Sequence, residues 1–121
     1  MSKVIVIDDE PFILMMIEDK LKKAKIDVIT LRESRNALDM IRRERPDLII
    51  LDWMMPELSG IELCKMIKGS DDLQDIPIFM LTAKGQDSDE QQGIQCGVSR
   101  YITKPFSPKS LLELVQETIG S

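Results

Sequence analysis

The chain has 121 residues, of which 43% are hydrophobic and 31% charged, and a formal net charge of −5. That is one globular domain's worth of chain, since domains most often run roughly 100–150 residues, and it can bury a core without disulfides or a structural metal. There is no histidine, which excludes Ser-His-Asp or Cys-His catalysis, a His-ligated zinc site and a phosphohistidine carrier, while the acidity argues against direct nucleic-acid binding.

The first apolar run, Val4–Ile7, is too short for a signal peptide or a membrane span, so a cytoplasmic protein is expected. It ends in Asp8-Asp9-Glu10. Pro11 suits the first turn of a helix whose apolar positions are Leu14, Ile17, Leu21 and Ala24. A second apolar run, Val28–Leu31, precedes a helical stripe at Ala37, Leu38 and Ile41. A third run, Leu48–Leu51, ends in Asp52-Trp53-Met54-Met55-Pro56. Ser59 with Glu62 reads as a capping box for a third helix carrying Ile61, Cys64 and Ile67. The acidic stretch Asp71, Asp72, Asp75 reads as a solvated loop before a fourth run, Ile78–Leu81, which ends in Thr82-Ala83. The segment Asp87–Cys96 is the weakest helix: it is rich in Gln and holds Gly93, which costs about 1 kcal/mol relative to Ala. Asp87 with Glu90 resembles a capping box there. Tyr101–Ile102 and its flanks form a fifth strand ending in Lys104-Pro105-Phe106. Ser107-Pro108 then caps a last helix with Leu111, Leu114, Val115 and Ile119 on one stripe.

The first four apolar runs lack a polar alternation, as do strands covered by helices on both faces. Five such strands alternating with five helices predict one α/β domain, residues 1–121, with a doubly wound five-stranded parallel sheet. The two cysteines, Cys64 and Cys96, match no metal-site spacing and read as free, inert core thiols in a reducing compartment.

In a parallel sheet all strand ends point to one edge, where ligands bind. That edge collects Asp8, Asp9, Asp52, Thr82 and Lys104. Two carboxylates about 5 Å apart repel by roughly 3 kcal/mol at an effective dielectric near 20. Three need more cation than Lys104 supplies, and an oxygen-only ligand set favours Mg²⁺ or Mn²⁺. A carboxylate beside a divalent ion, with an ammonium and a hydroxyl opposite, suits phosphoryl transfer through an acyl phosphate.

Four motifs stand in order: Ile7-Asp8-Asp9-Glu10; Leu51-Asp52-Trp53-Met54-Met55-Pro56 with Gly60; Leu81-Thr82-Ala83; and Tyr101-Ile102-Thr103-Lys104-Pro105-Phe106. With these motifs the whole chain resembles the receiver domain of two-component response regulators. The resemblance implies a flavodoxin-like sheet of order 2-1-3-4-5. It implies Asp52 as phosphoacceptor and Mg²⁺ held by Asp8, Asp9, Asp52 and the Met54 carbonyl. It implies Thr82 and Lys104 on the phosphoryl oxygens, a cis Lys104–Pro105 bond, and Tyr101 turning inward as Thr82 moves. A sensor histidine kinase or phosphotransfer protein would be the donor. The surface of the fourth helix, fifth strand and fifth helix would then switch for a partner protein or an effector domain, with a homodimer through that face left open. Met54 and Lys84, two residues beyond Asp52 and Thr82, would influence how long the acyl phosphate lasts. Gly93 and Val98 depart from the family's usual residues, which bears on the order of the fourth helix and not on the chemistry. The resemblance does not identify the kinase or the output, and it fits a stand-alone receiver or a piece of a longer regulator.

Each residue also has an ordinary reading. Asp8, Asp9 and Glu10 could cap the first helix; Thr82 could be a cap and Tyr101 a half-buried core aromatic. Two rival functions fit the sequence less well. A Mg²⁺-dependent aspartyl phosphatase would need an Asp-x-Asp pattern on the first strand, and here the pair is adjacent. A phosphate-independent binding module would have lost one of the acidic residues, the Thr or the Lys, and all are present. The expectation is a signalling switch and not an enzyme.

Overall fold

The computed structural model describes residues 2–55, 58–83 and 97–120. Five strands form one sheet: β1 (Lys3–Ile7), β2 (Asp27–Leu31), β3 (Leu48–Asp52), β4 (Ile78–Ala83) and β5 (Arg100–Lys104). All neighbours are parallel and the order is β2-β1-β3-β4-β5, as expected. Four helices lie within the described residues: α1 (Pro11–Lys23), α2 (Ala37–Glu44), α3 (Gly60–Lys68) and α4 (Pro108–Ile119), the last being the predicted fifth helix. The predicted fourth helix, its Asp87–Glu90 box and Lys84 fall outside the described residues.

Strand alternation divides the core into two layers. Val4, Val6, Leu48, Ile50, Phe79, Leu81 and Ile102 pack with α1 and α4. Ile5, Ile7, Ile49, Leu51, Ile78 and Met80 pack with α2 and α3. The central strands β1 and β3 are buried on both faces, which is why they are uninterrupted apolar runs. β2 differs from the expectation of full burial. It lies at the sheet edge with one neighbour, and its residues are exposed or half-buried.

The helix starts follow their chemistry. Pro11 and Pro108 open α1 and α4, where no backbone N–H is needed. The Ser107 hydroxyl accepts from the Ser110 N–H, and the Ser59 hydroxyl accepts from the Glu62 N–H at 3.3 Å. Ser59 also donates to the Glu62 carboxylate, so the capping box closes side chain to side chain. Among the described residues no helix is long and apolar enough to cross a membrane.

Candidate functional site

The strand register decides what meets at the carboxyl edge of the sheet. Ile7 pairs with Leu51, so the next residues, Asp8 and Asp52, stand level on adjacent strands. Asp52 pairs with Leu81, one residue before Thr82, and Ala83 pairs with Lys104. Alternation then sorts the side chains by face. Asp8, Asp52 and Lys104 follow Val6, Ile50 and Ile102, the residues that pack toward α1 and α4. Thr82 follows the parity of Met80, on the side of α2 and α3, where Tyr101 also packs half-buried. The predicted site is thus two groups on two faces of one sheet edge.

The first group is joined by the Lys104 ammonium. It lies 3.0 Å from Asp8 Oδ2, 3.1 Å from Asp52 Oδ1 and 3.4 Å from Glu10 Oε1. An ammonium has three protons, and here each meets a carboxylate. Asp8 is fully buried and Asp52 nearly so. The other Asp8 oxygen accepts the Glu10 N–H at 2.9 Å. This turn does not cap α1 with an acid side chain: Glu10 is the cap residue and makes no side-chain cap bond. The hydrogen-bonded cap that the capping reading would need is not made at Glu10.

Burial and charge crowding set the protonation behaviour. Burial, with the Asp8 charge next, pushes the Asp52 carboxyl up to about 7 against the pull of Lys104. Burial likewise raises Asp8, with the Glu10 N–H and Lys104 pulling it back. Burial works against the Lys104 ammonium, yet its bonds to Asp8 and Asp52 raise it above the usual lysine range. One lysine does not neutralise this crevice.

The donor set fits a hard divalent cation. Ligand oxygens of Asp8, Asp9 and Glu10 lie within 4.8 Å of one another, and Lys104 ties Asp52 to the same cluster. Oxygen ligands with excess negative charge are the chemistry Mg²⁺ selects. Next to them, Trp53 is buried against the α2–α3 side, and the Met54 side chain is 64% exposed at the rim. The Lys104–Pro105 bond is cis, as expected. Thr82 is buried at the end of β4.

Three residues carry structural roles that sequence reasoning missed. Gly60, the first residue of α3, donates its N–H to the Trp53 carbonyl, and a Cβ there would collide with the Asp52 carbonyl group. Only glycine lets α3 start this close to the acidic strand end; its signal was a glycine in the first turn of a predicted helix. Ser34 is buried, and its hydroxyl donates to the Leu58 carbonyl at 2.7 Å, bracing the loop after β3. A single serine between charged residues gave no signal. Cys64 was expected as a free thiol; it is buried but disulfide-bonded. The reason for the miss lies in tertiary packing. One turn along α3 the Lys68 stem lies 3.8 Å from the Cβ position of Gly97, so distant chain runs beside this helix. Cys96 lies outside the described residues.

A 2-1-3-4-5 parallel sheet with an acidic crevice and a lysine at its carboxyl edge defines a flavodoxin-like α/β domain with its site at the strand ends. The family model for the response regulator receiver domain matches residues 4–116, and the chain belongs to that family. Over 109 residues it is 43% identical to the phosphate regulon transcriptional regulatory protein PhoB of Pseudomonas aeruginosa, covering 90% of this chain and 48% of that protein. Over 110 residues it is 41% identical to the alkaline phosphatase synthesis transcriptional regulatory protein PhoP of Bacillus subtilis, covering 91% of this chain and 45% of that protein. The chain spans about half the length of the curated relatives it matches. Among solved structures, the chemotaxis response regulator CheY4 of Vibrio cholerae superposes with a TM-score of 0.90 at 33% identity, covering 98% of each chain. The BeF3-activated N-terminal receiver domain of Klebsiella pneumoniae RstA does so with 0.89 at 30% identity, covering 99% of this chain and 100% of that one. Receiver domains bind Mg²⁺ at an acidic pocket and serve as phosphoacceptors in two-component signalling; they are signalling proteins and not enzymes in the ordinary sense.

Proposed function

We propose that residues 1–121 form a single receiver domain that accepts a phosphoryl group on Asp52 from a phosphohistidine of a sensor kinase or phosphotransfer protein. A carboxylate oxygen of Asp52 attacks phosphorus and forms an acyl phosphate. The P–N bond breaks, and its electron pair stays on the donor imidazole. Mg²⁺ would be held by Asp8, Asp9, Asp52 and the Met54 carbonyl, where it favours the ionised, nucleophilic form of Asp52 and offsets charge on the transferred group. Lys104, already 3.1 Å from Asp52, binds a phosphoryl oxygen as charge builds there. The observation that carries this reading is the shared ammonium: one lysine from the last strand joins two buried aspartates from β1 and β3.

Thr82 supplies the second phosphoryl contact from β4, and its movement is matched by Tyr101 on the neighbouring strand β5. Tyr101 packs on the α2–α3 side, which Thr82 shares by strand alternation, so in this reading Thr82 links the phosphoryl group to Tyr101. The relay changes the surface of β5, the last helix and the segment before β5, for a partner protein or an effector domain. Two curated relatives are named as transcriptional regulatory proteins, and a DNA-binding output would belong to chain beyond this acidic receiver. A homodimer through the same surface is compatible with this reading. Met54 at the rim shields the acyl phosphate from water.

The single tryptophan tests the reading. Trp53 is buried beside Asp52, so its fluorescence should change on adding Mg²⁺ and again on adding beryllium fluoride. With a small phosphodonor, wild type should gain one phosphoryl group and Asp52→Asn none, a loss of more than about 100-fold in incorporation. Incorporation that survives in Asp52→Asn would assign the acceptor elsewhere.

A further inference from the structure

Glu10 lies in the acidic cluster with Asp8 and Asp9, but the proposed phosphoryl transfer gives it no role. It precedes Pro11 and makes no side-chain cap bond. Its carboxylate nevertheless accepts a third, longer hydrogen bond from the Lys104 ammonium, at 3.4 Å. The three acceptors of that ammonium differ in one respect. The Asp8 side chain is inaccessible and that of Asp52 is 8% exposed, whereas that of Glu10 is 58% exposed.

The difference has a consequence for cation entry. Both Asp8 oxygens are engaged, one by the Glu10 N–H and the other by Lys104. Asp52 Oδ1 is engaged by Lys104 as well. A divalent cation among these acids competes with the ammonium for the Asp8 and Asp52 oxygens and lies close to a like charge. Asp8 and Asp52 are fixed on buried strand ends and cannot follow a retreating lysine. Glu10 can, because its side chain is in solvent and already touches the ammonium.

We infer that Glu10 is a positioning residue for Lys104: it receives the ammonium that a divalent cation displaces from Asp8 and keeps it within reach of Asp52. The inference rests on the reading that this crevice binds Mg²⁺ and that Lys104 serves the phosphoryl group. Glu10 acts through the lysine and not as a ligand. Its charge lowers the electrostatic cost of having Mg²⁺ and Lys104 in one small site.

The test is Mg²⁺ titration of the unphosphorylated protein by Trp53 fluorescence, at fixed ionic strength. Glu10→Gln should bind Mg²⁺ roughly two- to fivefold more weakly, the scale of one partly exposed ion pair. In a Lys104→Met background the same substitution should change affinity by less than about 1.3-fold, because the lysine through which Glu10 acts is gone. Glu10→Asp keeps the charge but shortens the arm, so it should weaken Mg²⁺ binding as Glu10→Gln does; this variant leaves Lys104 in place. Thermal unfolding should change little with Glu10→Gln, since no cap bond is lost and only one partly exposed ion pair is removed. Equal Mg²⁺ affinity in wild type and Glu10→Gln would overturn the inference. So would the same loss with and without Lys104, or wild-type affinity in Glu10→Asp, which would make Glu10 a direct contributor to the cation's field. If wild type itself shows no Mg²⁺ response, the reading of the crevice falls and this inference falls with it; a normal wild-type titration with an inert Glu10 overturns only the latter.

Discussion

The two ends of the sheet handle charge in opposite ways. At the amino end, Lys3 of β1 bonds the Glu44 carboxylate at 2.9 Å, and its backbone N–H donates to Asp47 at 2.8 Å. Lys3 and Glu44 are each about 30% exposed, and Glu44 meets two cations, Lys3 at 2.9 Å and Arg43 at 3.6 Å. The Lys3 hydrogen bond and charge hold Glu44 below the usual carboxylate range. At the carboxyl end one ammonium serves three carboxylates, two of them buried, and burial holds Asp8 and Asp52 above that range. The first end is electrostatically finished. The second is left short of positive charge, the condition under which the proposed Mg²⁺ would bind there.

The comparison can be broken most strongly at Lys104. Lys104→Met leaves two buried acids without their counter-ion; Lys104 is itself partly exposed, so the expected cost at pH 8 without Mg²⁺ is about 3 kcal/mol, the low end for a broken buried pair. At pH 5 the cost should shrink, because protonating Asp52 relieves the repulsion. Urea unfolding at both pH values measures it, and an equal cost at the two would show that Lys104 acts by packing alone.

A smaller effect comes from pH itself. The Asp52 carboxyl is raised from 3.8 to about 7 in the folded protein. Its contribution to stability is full below about pH 4 and is lost as pH rises through about 7, because the folded state holds the proton more tightly. Asp52→Asn should therefore match wild type near pH 4 and become more stable than it by pH 8, by on the order of 1–2 kcal/mol after solvent screening. Saturating Mg²⁺ should narrow that gap. A gap independent of pH would reject the proton linkage.

The smallest effect belongs to the finished end. Glu44 has a lowered pKa, so its sign is reversed: its contribution is present above the usual carboxylate range and is lost on acidification. Lys3→Met should move Tm by no more than about 2 °C at pH 7, with nothing left of the difference at pH 3 and no response to Mg²⁺. A shift as large as that of Lys104→Met would erase the contrast between the two ends.

Much of this site is legible along the chain. Asp8, Asp52, Thr82 and Lys104 each follow an apolar run, and parallel strands bring the ends of such runs to one edge whatever their order. The proline starts of α1 and α4 and the Ser59 cap are local too, and they stand where their residues put them. Other features depend on neighbours that the sequence does not name. β2 has the same apolar character as β1, yet it is half-buried, because sheet order leaves it one neighbour. Gly60 matters because the Asp52 carbonyl lies where its Cβ would be. The Cys64 disulfide reflects what packs beside α3, and spacing along the chain carries no trace of that.

Glu10 marks the boundary between the two kinds of knowledge. The sequence by itself determined the alternation of strands and helices, the acidic and basic strand ends and the chemistry they can perform, because periodicity and side-chain type are local properties. Only the tertiary structure decided that Lys104 reaches across from the last strand to meet Asp8, Asp52 and Glu10 together, with two of the acids buried and one in water. Burial and distance are set by register and packing between residues up to 96 positions apart, and they decide which charges are fixed and which can move.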